Sequence, residues 1–322
     1  MMYDFLNDLS HIRGDITQNA DIARGTWFRV GGAADILFQP ADEGDLSQFI
    51  TACPDDVPIT ILGMGSNLII RDGGIRGVVI KLGKNFNRLD HDSQGNIVEI
   101  SAGAGDVAVA RHLAKKGVGG FEFLSGIPGC IGGALRMNAG AYGAEIADIL
   151  IDARVMDRAG QIQTIAAEDM DLSYRYNGLP DDLIFVSARF QGAEADSETL
   201  LARLDDIKQK REETQPVKDR TGGSTFANPL PEDLIAANLP EGTKSWQLID
   251  KVGGRGFKIG GAVMSEKHCN FMINDGTATA HDLESLGEEM RRRVKDQFGL
   301  ILHWEIRRIG EFKDDFETKG HA

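Results

Sequence analysis

The stretch from Gly120 to Gly143, GFEFLSGIPGCIGGALRMNAGAYG, constrains this 322-residue chain more than any other. Its glycines at 120, 126, 129, 132, 133, 140 and 143 are interleaved with apolar residues and with Asn138. Glycine weakens regular structure and is useful where backbone turns sharply or approaches a ligand closely. So dense a set predicts main-chain N–H groups laid against something large, flat and phosphorylated. The stretch contains no lysine, so it is not the Gly-x-x-x-x-Gly-Lys-Ser/Thr loop that cradles nucleotide triphosphates. The spacing Gly126-x-x-Gly129-x-x-Gly132 is not the dinucleotide fingerprint either. A glycine-rich turn cluster in a tightly packed sheet is the alternative that these residues alone leave open.

The first glycine loop in chain order, Gly63-Met64-Gly65-Ser66-Asn67, lies between apolar runs at 59–62 and 68–71 that read as strands. Nucleotide-binding glycine loops usually open a helix. Here the N–H groups would form a nest by turn geometry alone, or the segment is a plain hairpin or bulge turn. Gly103-Ala104-Gly105-Asp106-Val107-Ala108 formally matches Gly-x-Gly-x-x-Ala between a strand at 97–102 and a helix at 106–117. A dinucleotide fold would continue into an apolar strand ending in an acid. The chain instead runs into GVGGFEFLSG, so the match is read as a structural turn.

Net charge is −14, a field that repels a continuous phosphate backbone and excludes nucleic acid as a partner. Anionic ligands must be small and met by local cations or helix N-termini. Cys53, Cys130 and Cys269 are odd in number and lack Cys-x-x-Cys spacing, which predicts reduced thiols, no zinc site and a cytoplasmic location. His268 has no second ligand at metal spacing, so no metal is expected. The acidic N-terminus carries no signal peptide pattern, and no apolar run reaches a membrane span.

Elsewhere the pattern predicts helices over 42–52, 196–213, 244–252 and 282–298. Strands are expected at 76–82, 151–156, 183–190 and 300–309. In the last of these, Glu305 would share a face with His303 and Arg307, a carboxylate inside an apolar, aromatic strand. Tyr174-Arg175-Tyr176 places one arginine in a loop, where guanidinium can grip a carboxylate or phosphate with two prongs. Ser224, presented by Gly222 and Gly223, has no neighbouring histidine or aspartate, which argues against acyl transfer and for a proton donor or an anchor.

In order, LGMGSNLII, GFEFLSGIPGCIGGALRMNAGAYG, SYRYN, GGSTFANP, SWQLIDKVGGRGFKIGGAVMSEKHCNF and LHWEIRRIG resemble one family, the UDP-N-acetylenolpyruvoylglucosamine reductases (MurB) of bacterial peptidoglycan synthesis. The resemblance covers about Thr26 to Gly310, and the chain is similar to the subtype lacking an inserted tyrosine loop. It implies an α+β fold: an FAD-binding fold of the vanillyl-alcohol oxidase type in two subdomains, 1–82 and 83–195. A substrate-binding domain over 196–312 and a polar tail over 313–322 complete it.

The resemblance also implies the chemistry. NADPH gives a hydride to FAD and leaves, and the reduced flavin then passes a hydride to the enolpyruvyl group of a UDP-sugar, giving UDP-N-acetylmuramate. Arg175 would bind the substrate carboxylate, Glu305 would assist, and Ser224 would deliver the proton. FAD would be held by Gly63, Gly65, Ser66, Asn67 and Leu68, and by Gly126, Ile127, Pro128, Gly132, Gly133, Asn138, Gly140 and Gly143. Asn228 and Lys258 would contact the uridine diphosphate, and a monomer is expected. The competing readings are an oxidase of the same fold acting on a hydroxylated small molecule, a non-catalytic binding protein on a decayed scaffold and, last, a nicotinamide dehydrogenase built on Gly103 to Ala108.

Overall fold

Helix α1 (Glu43–Ala52) begins where Asp42 accepts the Asp45 N–H at 2.9 Å, and it buries Leu46, Phe49 and Ile50. The other helices are α2 (Asp106–Lys115), α3 (Ile131–Arg136), α4 (Ser197–Thr214), α5 (Pro231–Ala236), α6 (Ser245–Lys251) and α7 (Ala280–Phe298). Helix α7 is the longest. Thr279 and Asp282 cap it reciprocally, Gly299 ends it at φ 70°, and Leu283, Leu286, Met290 and Val294 form its buried stripe.

This is a computed structural model that describes residues 3–313; of the tail expected from 313 onward, 314–322 lie outside the described residues. The chain forms two compact units. The first comprises 1–18, 36–64 and 77–210, and the second comprises 19–35, 65–76 and 211–322.

The first unit holds two hydrophobic cores. One gathers Ile36, Phe38, Leu46, Phe49, Val78 and Ile80, with Phe38 stacked on Phe49 at 3.9 Å between ring centroids. The other gathers Val98, Ile100, Leu113, Phe121, Leu135 and Phe190 beneath an antiparallel sheet of order 162–166, 150–156, 184–191, 97–101, 89–92. Strand Ile59–Leu62 pairs in parallel with 78–81. Strand Leu68–Ile70 pairs instead with Arg307–Ile309, so the glycine loop between 62 and 68 is not a hairpin turn. After α2 the chain enters a two-residue strand, Val118–Gly119, that pairs antiparallel with 193–194. No dinucleotide-type crossover follows the Gly103 to Ala108 turn.

The second unit packs α7 against a three-stranded sheet, Lys258–Ile259, Ala262–Met264 and Met272–Asn274, and α6 against α7. Its core includes Phe28, Phe226, Leu248, Met272, Leu286 and Met290. The expected continuous strand over 300–309 is corrected here: strand pairing is confined to Arg307–Ile309, and Trp304 makes only an isolated bridge to Phe226. The reason is packing. The Trp304 ring covers Gly287 of α7, where an added Cβ would lie 2.1 Å from ring atom Cη2, so the segment docks on a helix instead of extending a sheet.

Candidate active site

In the first unit the two glycine stretches meet at Cys130. A Cβ added at Gly63 would lie 2.8 Å from the Cys130 sulfur. Burial pushes the Cys130 thiol above its ordinary pKa, while the N–H groups of Gly133, Met64 and Gly132 act in the opposite direction. Main-chain N–H groups from both loops therefore face one buried thiol. Gly132 is packed, with an added Cβ 3.0 Å from Ala102 Cβ. Gly133 is not: nothing lies nearer than 4.0 Å to the place its Cβ would occupy, and its φ is not positive. Gly143, at φ 83°, also faces open space. A glycine in a helix turn with neither a strained φ nor a neighbour leaves room for a bound group, so these residues fit a large flat cofactor. Gly126 lies under the Tyr142 ring, 2.6 Å from an added Cβ.

Behind this junction sits Asp106, at the start of α2. It is fully buried, neither carboxylate oxygen has a partner, and burial holds its pKa well above the ordinary value.

Asn138 has φ 40° and is fully buried, and its amide is used within the protein. It donates to the Ser173 carbonyl at 2.9 Å and accepts the Ala147 N–H at 2.9 Å. This contact ties the glycine stretch to the Ser173–Tyr176 turn, which two main-chain hydrogen bonds close. At its tip Arg175 takes φ 57°, a left-handed conformation costing a non-glycine residue about 1–2 kcal/mol. Its guanidinium donates to the Gly140 carbonyl at 2.9 Å and lies 5.3 Å from the Tyr174 ring centroid. Arg175 and the second glycine loop, separate in the sequence, are thus one structure.

In the second unit, Ser224 and Glu305 come together through main chain. The Thr225 N–H bonds the Asn270 carbonyl at 2.7 Å, and Ser224 bridges Phe271. On the opposite edge the Glu305 N–H bonds the Thr225 carbonyl at 2.9 Å, and the Ala227 N–H bonds the His303 carbonyl at 2.9 Å. Segment 224–227 is therefore held from both sides. The Asn67 side chain donates to the Glu305 carbonyl at 3.1 Å, joining the Gly65–Leu68 half of the first glycine loop to the same framework. Gly65 takes φ 63° and an added Cβ would lie 3.0 Å from Thr26, which explains glycine there without a ligand.

Asn228 accepts the Ser245 N–H at 3.3 Å at the start of α6. Lys258 stands on the three-stranded sheet with its ammonium 2.5 Å from Asp275, whose pKa this partner lowers to about 2. The sequence reading missed Asn270, Cys130, Asp106 and Asp275. Only the run HCNF, with its apolar flank, hinted that Asn270 is buried. Among the described residues no group of three or more His, Cys, Asp or Glu side chains could hold a metal. No described helix is long and apolar enough to cross a membrane.

Loops that converge main-chain donors beside a sheet, followed by a unit carrying its own core, define the class. A model described as an FAD binding domain matches residues 34–166, and the chain is a flavin-dependent oxidoreductase with an α+β FAD-binding fold. A model described as the C-terminal domain of UDP-N-acetylenolpyruvoylglucosamine reductase matches residues 215–309. The chain is 51% identical over 309 residues to a UDP-N-acetylenolpyruvoylglucosamine reductase of Parvibaculum lavamentivorans, covering 96% of each chain. Against one from Maricaulis maris it is 47% identical, covering 98% of this chain and 99% of the relative. It superposes on the crystal structure of the reductase (MurB) from Thermus caldophilus with a TM-score of 0.74 and 30% identity, covering 92% of this chain and 99% of the other. The chain belongs to the UDP-N-acetylenolpyruvoylglucosamine reductase family.

Proposed function

We propose that the chain reduces the enolpyruvyl ether of UDP-N-acetylglucosamine to the lactyl ether of UDP-N-acetylmuramate in peptidoglycan precursor synthesis, with NADPH as hydride donor. The chemistry that bound FAD supplies is hydride transfer from nicotinamide to the terminal vinyl carbon. The protein's own groups manage the charge and the proton. Hydride arrival leaves negative charge on the carbon beside the carboxylate, which fixed donors must stabilise before it is protonated. Arg175, pre-set by its bond to the Gly140 carbonyl, binds the carboxylate and stabilises that charge. Glu305 assists as a donor, and the Ser224 hydroxyl delivers the proton. Gly63, Gly65, Ser66, Asn67 and Leu68 hold FAD together with Gly126, Ile127, Pro128, Gly132, Gly133, Gly140 and Gly143. Asn138 contributes by clamping that loop.

Asn228 and Lys258 bind the uridine diphosphate, Lys258 by exchanging Asp275 for phosphate oxygens. By role, 1–82 and 83–195 form the FAD-binding part and 196–312 the substrate-binding part. The protein works as a cytoplasmic monomer. The observation that carries the reading is the Glu305 to Thr225 hydrogen bond at 2.9 Å, which sets a hydroxyl donor and a carboxyl in one rigid framework. Anaerobic titration tests it. Flavin absorbance should bleach with NADPH and return with the enolpyruvyl sugar nucleotide, while Ser224→Ala should bleach and stay bleached. Normal turnover by Ser224→Ala would remove Ser224 from the mechanism.

A further inference from the structure

Segment 224–227 belongs to no sheet, and nothing in its own sequence fixes it. Gly223 has φ 84° and open space around its missing Cβ, so the chain leading into Ser224 is free to turn. Beyond the main-chain bonds that flank it, one side chain holds its centre. The amide of Asn270 accepts the Phe226 N–H at 3.0 Å and donates to the Phe226 carbonyl at 2.7 Å. Its own main-chain carbonyl receives the Thr225 N–H at 2.7 Å. Asn270 therefore pairs with Phe226 as a neighbouring strand residue would, by side chain instead of backbone. It is 4% exposed, so these bonds do not compete with water. It is held in turn by the His268 ring, whose Nδ1 accepts the Asn270 N–H at 3.3 Å and which packs on Phe271 with centroids 4.8 Å apart.

We propose that Asn270 is the positioning residue of the substrate half-reaction, acting through segment 224–227 to place the Ser224 hydroxyl and, through the Thr225 carbonyl, Glu305. The inference rests on the roles proposed above for Ser224 and Glu305. Its physical content is that both ends of one amide are needed. Asn270→Ala leaves the buried N–H and carbonyl of Phe226 unpaired. Asn270→Asp keeps the shape and accepts the N–H. Ionised, it sets a negative charge against the Phe226 carbonyl; protonated, its hydroxyl donates to that carbonyl and restores the pattern of the amide.

The test separates the two half-reactions by stopped flow in wild type, Asn270→Ala and Asn270→Asp from pH 5.5 to 8.5, beside amide hydrogen exchange of peptides covering 224–227 and 303–306. Flavin reduction by NADPH should stay within about twofold in all three proteins. At saturating enolpyruvyl substrate, reoxidation should fall at least tenfold in Asn270→Ala at every pH. In Asn270→Asp it should be equally low at pH 8.5 and climb toward wild type as the pH falls. Both peptides should lose protection in Asn270→Ala. Wild-type reoxidation rates in the variants, a pH-independent Asn270→Asp, or equal loss in both half-reactions would overturn the positioning role. Failure of the wild-type flavin to reoxidise with this substrate would instead overturn the reaction assigned above. Should Asn270→Ala not fold, the pH response of Asn270→Asp decides alone.

Discussion

Asp106→Asn should make the protein less sensitive to rising pH, and the size of the effect follows from burial. Asp106 is fully enclosed with no partner for either oxygen, and burial raises its pKa well above the ordinary value in the folded state. In the unfolded chain it ionises near pH 3.9. Below that pH both states hold the proton, and the residue exerts no pH-dependent effect. Above it, the unfolded state loses the proton while the folded state keeps it. The folded state is then penalised by about 1.4 kcal/mol per pH unit until the native pKa is reached. Asparagine, which does not titrate, removes that slope. Thermal melts of the FAD-free protein at half-unit steps from pH 4 to 8 should therefore show the variant gaining on wild type as pH rises. The expected gain is roughly 3–6 °C per pH unit within the window, at 2–4 °C per kcal/mol for a unit of this size. Wild-type and variant curves that run parallel across the range would refute the reasoning, because Asp106 would then be ionised or hydrated in the native state.

Gly133→Ala should separate stability from cofactor binding: the FAD-free protein should melt no lower, since alanine is favoured in a helix by up to about 1 kcal/mol and meets no neighbour, while FAD affinity measured by fluorescence should fall. Gly287→Ala forces a methyl into the Trp304 ring and should destabilise by about 1–3 kcal/mol in denaturant titration. It should also slow substrate-driven reoxidation more than flavin reduction, because Trp304 adjoins Glu305; an unchanged midpoint and unchanged rates would show that the ring relocates freely. Arg175→Ala should damage reoxidation by the enolpyruvyl substrate and spare reduction by NADPH. Equal damage to both would assign Arg175 to flavin binding.

The glycine loops were legible in the sequence because a dense set of glycines reports either a backbone requirement or space kept open; Gly143 has the positive φ and Gly133 the open space. Helix α7 was legible because its apolar stripe keeps one period from Leu283 to Val294. Strand Asp15–Ala20 was not, since only Ala20 of its six residues is buried and no alternation marks it. The segment 300–306 misled because apolar residues that pack on a helix and on segment 224–227 look, in one dimension, like a strand. Asn270 was invisible for a related reason. Its partner Phe226 is forty-four residues away, and an asparagine that replaces a strand neighbour has the same letter as one in a surface turn. The ion pair of Lys258 with Asp275 spans only seventeen residues, but no periodicity connects them.

The parallel pairing of Leu68–Ile70 with Arg307–Ile309 has a consequence in time. The Asn67 side chain and its Glu305 acceptor are 238 positions apart. At a synthesis rate of 5–20 residues per second, the early strand waits about 12–50 s for its partner to be made. Ile69 and Ile70, fully buried in the finished protein, belong during that interval to an apolar edge with no mate. The residues of the first unit are complete by 210, so it can consolidate while the excursions 19–35 and 65–76 remain unsettled. The nascent chain is therefore most prone to aggregate after its first unit has folded, and the remedy arrives only with Arg307–Ile309.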